Sequence, residues 1–315
     1  MAKKKNKLTE LELTIKHHIA PAINYQVHKT ISYSQYSIWA NCPHQWYNSY
    51  VKNLNPYSDT IHTIFGTAMH ETLQHYISVM YTVSKAAADR EDITGIFQEK
   101  FVSLYQTAYE KSKTHFSSAA EMREFYEDGI SIITWIKKKV GILFTTKNTK
   151  LLGIELPILI KISNNLYLKG YIDFALYDTI DNKVYIYDIK TSTRGWGDRE
   201  KKDDKKIAQI LLYKEYFSKQ YGFPVDNIEV EYFIVKRKIW EEAEFPIPRV
   251  QSFKPASGKN KRSKMMDSFS EFLQDCFDES GKIKDKSYIK NVGEDSCKWC
   301  PYFETEFCDR KNAVS

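Results

Sequence analysis

The chain has 315 residues, enough for one large domain or two small ones, and its 42% hydrophobic and 27% charged residues are an ordinary globular balance. No stretch reaches the ~18 uninterrupted apolar residues of a membrane span, and the basic segment Met1 to Lys7 leads into no apolar run, which argues against a membrane protein and a secretory signal. The net charge of +6 fits a polyanionic partner but equally a lysine-rich surface, so it informs only where it gathers beside chemistry.

In chain order, residues 1–28 read as a flexible basic tail. Residues 32–51 (SYSQYSIWANCPHQWYNSYV) predict short aromatic-rich helices, with Ser32 or Ser34 capping the first and Pro43 opening the second. A long helix is expected over 62–88 and two more over 94–140, the second carrying Phe125, Ile130, Ile133 and Ile136 at near-helical spacing. From Leu151 the texture changes to three β-rich segments, LLGIELPILIKI, YLKGYIDFALYD and KVYIYDIKTS, separated by the polar turns 163–165 and 178–182. Strands this close in sequence pair antiparallel. A helix over 203–221 is long enough for a crossover into a fourth strand over 228–237. The order helix, strand, strand, strand, helix, strand predicts an α/β fold with a mixed central sheet flanked by helices. Residues 29–150 form its helical region and 151–253 its core. Residues 254–315 add a basic loop (254–264), a helix near 265–280 and a cysteine-bearing tail, the whole being one integrated domain.

Asp188 and Lys190, two apart on a strand, share one face. Asp173 on the preceding strand can approach Asp188 across the hairpin. Two adjacent carboxylates need a cation between them, and oxygen donors suit Mg²⁺ or Mn²⁺. A neighbouring lysine can orient or activate water, or offset charge on a phosphate, which together is the chemistry of phosphodiester hydrolysis. A D-x-K triplet alone is common at strand ends. Its setting here is not: Gly170-Tyr171-Ile172-Asp173 comes before it, Thr191-Ser192 after it, and Gln209 and Tyr213 follow on one helical face.

The segments FGTAMHETL, LKGYIDFAL, VYIYDIKTS and QILLYKEY, in this order, resemble the successive motifs of the RecB-like branch of the PD-(D/E)xK nuclease superfamily, over about residues 32–236. The nearest subgroups are the CRISPR-associated RecB-like exonucleases and the AddB-type iron–sulfur nuclease domains. The resemblance implies a restriction-endonuclease-like core and a DNA nuclease of exonuclease type. His70, Asp173, Asp188 and the Ile189 carbonyl would be metal ligands, Lys190 the catalytic lysine, and Gln209 and Tyr213 contacts to the strand near the scissile phosphate. Glu155 matches an acidic position of part of the superfamily, with a solvent-facing strand residue as the equal alternative.

Cys297, Cys300 and Cys308 form a C-x2-C pair with a third cysteine close behind, and they need a distant fourth. Cys42, in NCPHQWYNSY, is the better candidate than Cys276. Four thiolates can hold [4Fe–4S] or Zn²⁺. The resemblance favours iron–sulfur, although the gap before Cys308 is longer than the family pattern. Thr191, Ser192 and Arg194 after the catalytic strand, and Lys259, Lys261 and Arg262 in the basic loop, are the candidate DNA contacts. The expected location is the cytoplasm of a prokaryotic or phage-infected cell. No G-x-x-x-x-G-K-[ST] loop is present, so a helicase would be a separate partner. A different class, a non-catalytic DNA-binding scaffold, is countered by the complete set of candidate site residues.

Overall fold

The computed structural model describes residues 8–54, 59–240 and 242–308. The first element corrects the expected tail. Helix α1, Glu10–Lys16, starts with a capping box between Thr9 and Glu12, buries Leu11 and pairs Glu12 with Lys150 at 2.7 Å. Residues 1–7 lie outside the described residues.

A three-residue strand, β1 (Lys29–Ile31), follows and runs parallel to a later strand. Ser32 caps α2 (Tyr33–Asn41), and Pro43 opens α3 (Pro43–Trp46), which continues as a π-helical turn over Tyr47–Val51. The long helix is α4, Ile61–Thr82. It stops earlier than expected because the Ser84 side chain takes the Ala87 amide and starts a separate helix, α5 (Lys85–Arg90). Two more helices complete this region, α6 (Ile93–Ser112) and α7 (Ala119–Leu143).

The three strands β2 (Thr149–Ser163), β3 (Leu166–Asp178) and β4 (Lys183–Ser192) pair antiparallel as expected. Short α8 (Asp198–Lys202) precedes the crossover helix α9 (Asp204–Tyr221), which returns the chain to β5 (Ile228–Lys236), parallel to β4. Strand β6 (Val250–Phe253) closes the far edge, antiparallel to β5. Helix α10 spans Lys259–Cys276 and α11 spans Glu294–Cys297. The expected basic loop is therefore half helix: Lys259, Lys261 and Arg262 sit in the first turn of α10.

Helices cover both faces of the sheet. Val184 and Ile186 of β4 and Ile228, Val230 and Ile234 of β5 face one core, shared with Leu211 and Phe217 of α9 and Phe269 and Phe272 of α10. The alternate residues Tyr187, Ile189, Phe233 and Val235 face the second core, with Phe65 of α4, Phe97 and Phe101 of α6 and Ile133 of α7. This period-two alternation of two apolar faces is what a sheet buried on both sides requires.

The second core leaves no slack where α6 and α7 cross. A Cβ on Gly129 would sit 2.3 Å from the Phe97 ring, which itself stacks on Phe101 with centroids 5.6 Å apart. Gly129→Ala is expected to lower stability by about 1–3 kcal/mol through overpacking, read as a drop in the urea midpoint at unchanged slope. A wild-type midpoint would contradict this packing.

Candidate active site and cysteine cluster

The β3–β4 ladder ends at the pair Phe174↔Tyr187. The next residue toward the open end on each strand is an aspartate, Asp173 and Asp188. There the strands part, and the Ile189 amide donates to the Asp173 carboxylate (2.6 Å) rather than to backbone. A main-chain ladder has been exchanged for a carboxylate held at a strand junction.

Asp188 is only 1% exposed, and neither of its carboxylate oxygens accepts a well-directed hydrogen bond. The Lys190 ammonium forms an ion pair with Oδ2 at 2.8 Å and also donates to Gln209 Oε1, at 2.8 Å. Burial pushes the Asp188 carboxyl well above the usual carboxylate range; Lys190 pulls it back and Asp173 pushes it further up. Lys190 is itself buried, which disfavours its charge, but Asp188 outweighs that and raises its pKa.

On the other side of the junction, α4 brings in His70. Helix and sheet come close at Gly66, where a Cβ would already stand 3.0 Å from the Thr191 hydroxyl. One turn later His70 Nε2 is 2.7 Å from Asp173 Oδ2, and its Nδ1 is 3.9 Å from Glu155 Oε1. Burial works against a charged imidazole, yet the bond to Asp173 and the charges of Asp173, Glu155 and Asp188 raise the His70 pKa overall. Glu155 reaches the cluster from β2 with a left-handed backbone (φ 48°), a conformation non-glycine residues adopt rarely and at functional sites preferentially. One donor atom from each of His70, Glu155 and Asp173 lies within 4.8 Å of the others. A set of one imidazole and two carboxylates beside the buried Asp188 carboxylate fits a divalent cation in donor type and in charge.

Gln209 and Tyr213 face the site from α9, as their spacing predicts. Gly170 on β3 leaves room for Tyr213, since a Cβ there would stand 2.8 Å from the ring. Burial pushes the Tyr213 phenol up to about 12, so it stays a neutral donor. Thr191 and Ser192 line the same cavity of about 640 Å³ as His70, Asp173, Asp188, Lys190 and Gln209. Arg194 is exposed in the next cavity along the strand.

The candidate DNA contacts on α10 fare differently. Arg262 is corrected: it is buried, pairing with Glu215 (2.6 Å) and Asp226 (3.3 Å) and donating to the Ser257 carbonyl, so its charge holds α10 to α9. Lys261 is paired with Asp204, while Lys259 is exposed at the start of α10. Two residues escaped the sequence reading. Gln74, one turn beyond His70, donates to both the Glu155 carboxylate and the Asp173 carbonyl; its four-residue spacing from His70 was the available signal. Arg237 lies on the cavity rim, over the Phe125 ring and paired with Asp128 at 2.6 Å.

Of the five cysteines, Cys42, Cys297 and Cys308 are the ones that act on Cys300. The Cys300 thiol is pushed up by burial and by the nearby Cys42, Cys308 and Cys297. The tail is tied to residues 41–54 by hydrogen bonds from Asn41 to the Ser296 carbonyl (3.3 Å), from Asn48 to the Phe307 carbonyl (3.3 Å) and between Ser49 and Tyr302 (3.0 Å). Cys276 instead packs in the first core among Phe272, Phe277 and Tyr288. Among the described residues no helix is long and apolar enough to cross a membrane.

Comparison with protein families gives one match: the PD-(D/E)XK nuclease superfamily, over residues 30–305. A search of curated proteins finds no match.

Gln74 holds Glu155 and the Asp173 backbone without belonging to the donor cluster. Gln74→Leu is expected to weaken Mn²⁺ binding about tenfold, measured by titration in the absence of nucleic acid. Unchanged affinity would show that the cluster keeps its shape without this support.

Proposed function

This chain belongs to the PD-(D/E)XK nuclease superfamily, and on that premise we propose that it is a divalent-metal-dependent deoxyribonuclease, acting on DNA ends or single strands in replication, recombination or repair. The observation that carries this reading is Asp188, a buried carboxylate paired with Lys190 at 2.8 Å, next to the His70–Glu155–Asp173 cluster. Lys190 and His70 stand against the three carboxylates Asp188, Asp173 and Glu155, and a divalent cation would offset the remaining negative charge. His70, Asp173 and Asp188, with Glu155 and the Ile189 carbonyl as further donors, would hold Mg²⁺ or Mn²⁺.

When bound, the ion supplies Lewis acidity and a more acidic water. The protein's own groups do the rest. Lys190, kept protonated by Asp188, orients the attacking water or offsets charge on the phosphate. Gln209 fixes the Lys190 ammonium from the second side. Tyr213, a neutral phenol on the same helical face, offers a donor to the strand near the scissile bond. Water adds to phosphorus, the P–O ester bond breaks, and the departing oxygen takes up a proton.

We further propose that Cys42, Cys297, Cys300 and Cys308 bind a [4Fe–4S] cluster. The influence of Cys42, Cys297 and Cys308 on the Cys300 thiol supports a common site. Four thiolates suit either [4Fe–4S] or tetrahedral Zn²⁺, and it is the resemblance to iron–sulfur nucleases that favours the cluster.

End-labelled single-stranded and duplex DNA, incubated with anaerobically purified protein and Mg²⁺, Mn²⁺ or EDTA, tests the activity. Cutting should require metal and fall by at least about 10²–10³-fold in Asp188→Ala and in Lys190→Ala. DNA binding without cutting under every metal would move the chain to a scaffold role, and full activity in either variant would overturn the site. Metal analysis of the same preparations should find iron in the wild type and its loss in Cys300→Ser; zinc in place of iron would reject the cluster assignment.

A further inference from the structure

Beyond the catalytic cavity, the hydrogen bonding between β4 and β5 continues past the regular strands, with the Arg237 amide donating to the Ser192 carbonyl (2.9 Å) and the Lys238 amide to the Thr193 carbonyl (2.7 Å). Ser192, Thr193 and Arg237 line the catalytic cavity. Their immediate neighbours Arg194, Lys236 and Lys238 line a second cavity of about 620 Å³, completed by Ile239, Trp240 and Ile247. One step along either chain therefore leads from one cavity to the other.

Among the described residues that line this second cavity none is acidic. Lys238 is neutralised by Glu124 and Asp128. Arg194 and Lys236 have no acidic partner among the described residues, and Lys236 is further disfavoured as a cation by burial and by Arg249. An anion would relieve that charge. Beside the two cations the Trp240 indole is 68% exposed. A flat aromatic face next to unneutralised cations is the arrangement that stacks a base and holds its phosphate.

Resting on the nuclease reading above, we propose that Trp240, Arg194 and Lys236 form a nucleotide subsite that stacks one base of single-stranded DNA adjoining the catalytic cavity. Stacking is indifferent to base identity, so the subsite would set the strand's position without selecting a sequence.

Fluorescence anisotropy with labelled oligothymidylate in EDTA, where nothing is cut, reads the subsite directly. Trp240→Ala should weaken binding about tenfold and Trp240→Phe should restore most of it. Lys236→Ala should lower the slope of log affinity against log salt by about 0.7. Hydrolysis of the small diester methyl p-nitrophenyl phosphate, which has no base to stack, should be unchanged in Trp240→Ala. Wild-type binding by Trp240→Ala, or no binding by the wild type, overturns the subsite. A wild type that binds oligothymidylate through Trp240 yet hydrolyses neither DNA nor the diester overturns the nuclease reading alone.

Discussion

The structure depends on one buried charge. Asp188 stands on a central strand, with neighbours on both sides of the sheet, at a depth where water cannot solvate its carboxylate. The Arg262 and Arg237 guanidinium groups are matched: Arg262 meets Glu215 and Asp226, and Arg237 meets Asp128. At the strand junction Lys190 pairs with Asp188 and His70 with Asp173, while Glu155 adds a third carboxylate beside them. The sheet tolerates this because β3 and β4 part at that level. The parting also frees Asp173 to point into the gap and take the Ile189 amide. Strand divergence and charge burial are thus one device, and the cavity is its opening.

The helices on the two faces can be understood as the means of closing around that device. From one side α9 brings Gln209 to Lys190 and packs Tyr213 against Gly170. From the other side α4 approaches at Gly66 and delivers His70, then Gln74, one turn apart. Each contact comes from a helix buried along its length rather than from a loop. A site that must hold several like charges within a few ångströms needs such rigid supports, because repulsion would otherwise widen it. The left-handed Glu155 is the one place where backbone strain accompanies this geometry.

Much of this was legible in the sequence for physical reasons. Three β-rich segments with short polar turns allow only antiparallel neighbours, and the 203–221 helix is long enough for a crossover, so the mixed sheet and the D-x-K face followed, while β6 did not. The pairing of Gln209 with Tyr213 followed from helical spacing. What stayed hidden were features decided by distant partners. Strand β1 is too short to show a pattern, and its pairing depends on Leu166–Leu168, more than a hundred residues later. The basic segment 254–264 carries Gly, Ser and Lys, which read as loop, yet Arg262 turns inward to Glu215 and Asp226 and draws Lys259 onward into a helix. The opening residues read as a tail by charge, while the Thr9–Glu12 capping box and the Lys150 partner fix a helix there. In both segments a local capping or pairing interaction outweighs what the composition alone favours.

The carboxyl-terminal tail poses a separate problem of stability. Of residues 294–308, only Ser296 and Tyr302 are buried, and Trp299 is 84% exposed. That segment buries too little apolar area to order itself, and its few hydrogen bonds to residues 41–54 each contribute only about 1 kcal/mol net. A loop returning from the sheet to Cys42 therefore needs a cross-link. On the proposed reading the thiols supply it, since metal–thiolate binding energy becomes folding energy when the site exists only in the folded chain. The cross-link would act on more than the tail. Cys42 joins α2 to α3, Tyr33 of α2 donates to the Lys205 carbonyl at the start of α9, and Trp39 of α2 donates to Asp275 of α10. Holding Cys42 thus bears on the entry of α9, the helix that carries Gln209 to Lys190. Cys42 and Lys190 are joined through packed helices, and on the proposed reading a chain that lost its cluster would lose order near α9 before it lost the sheet.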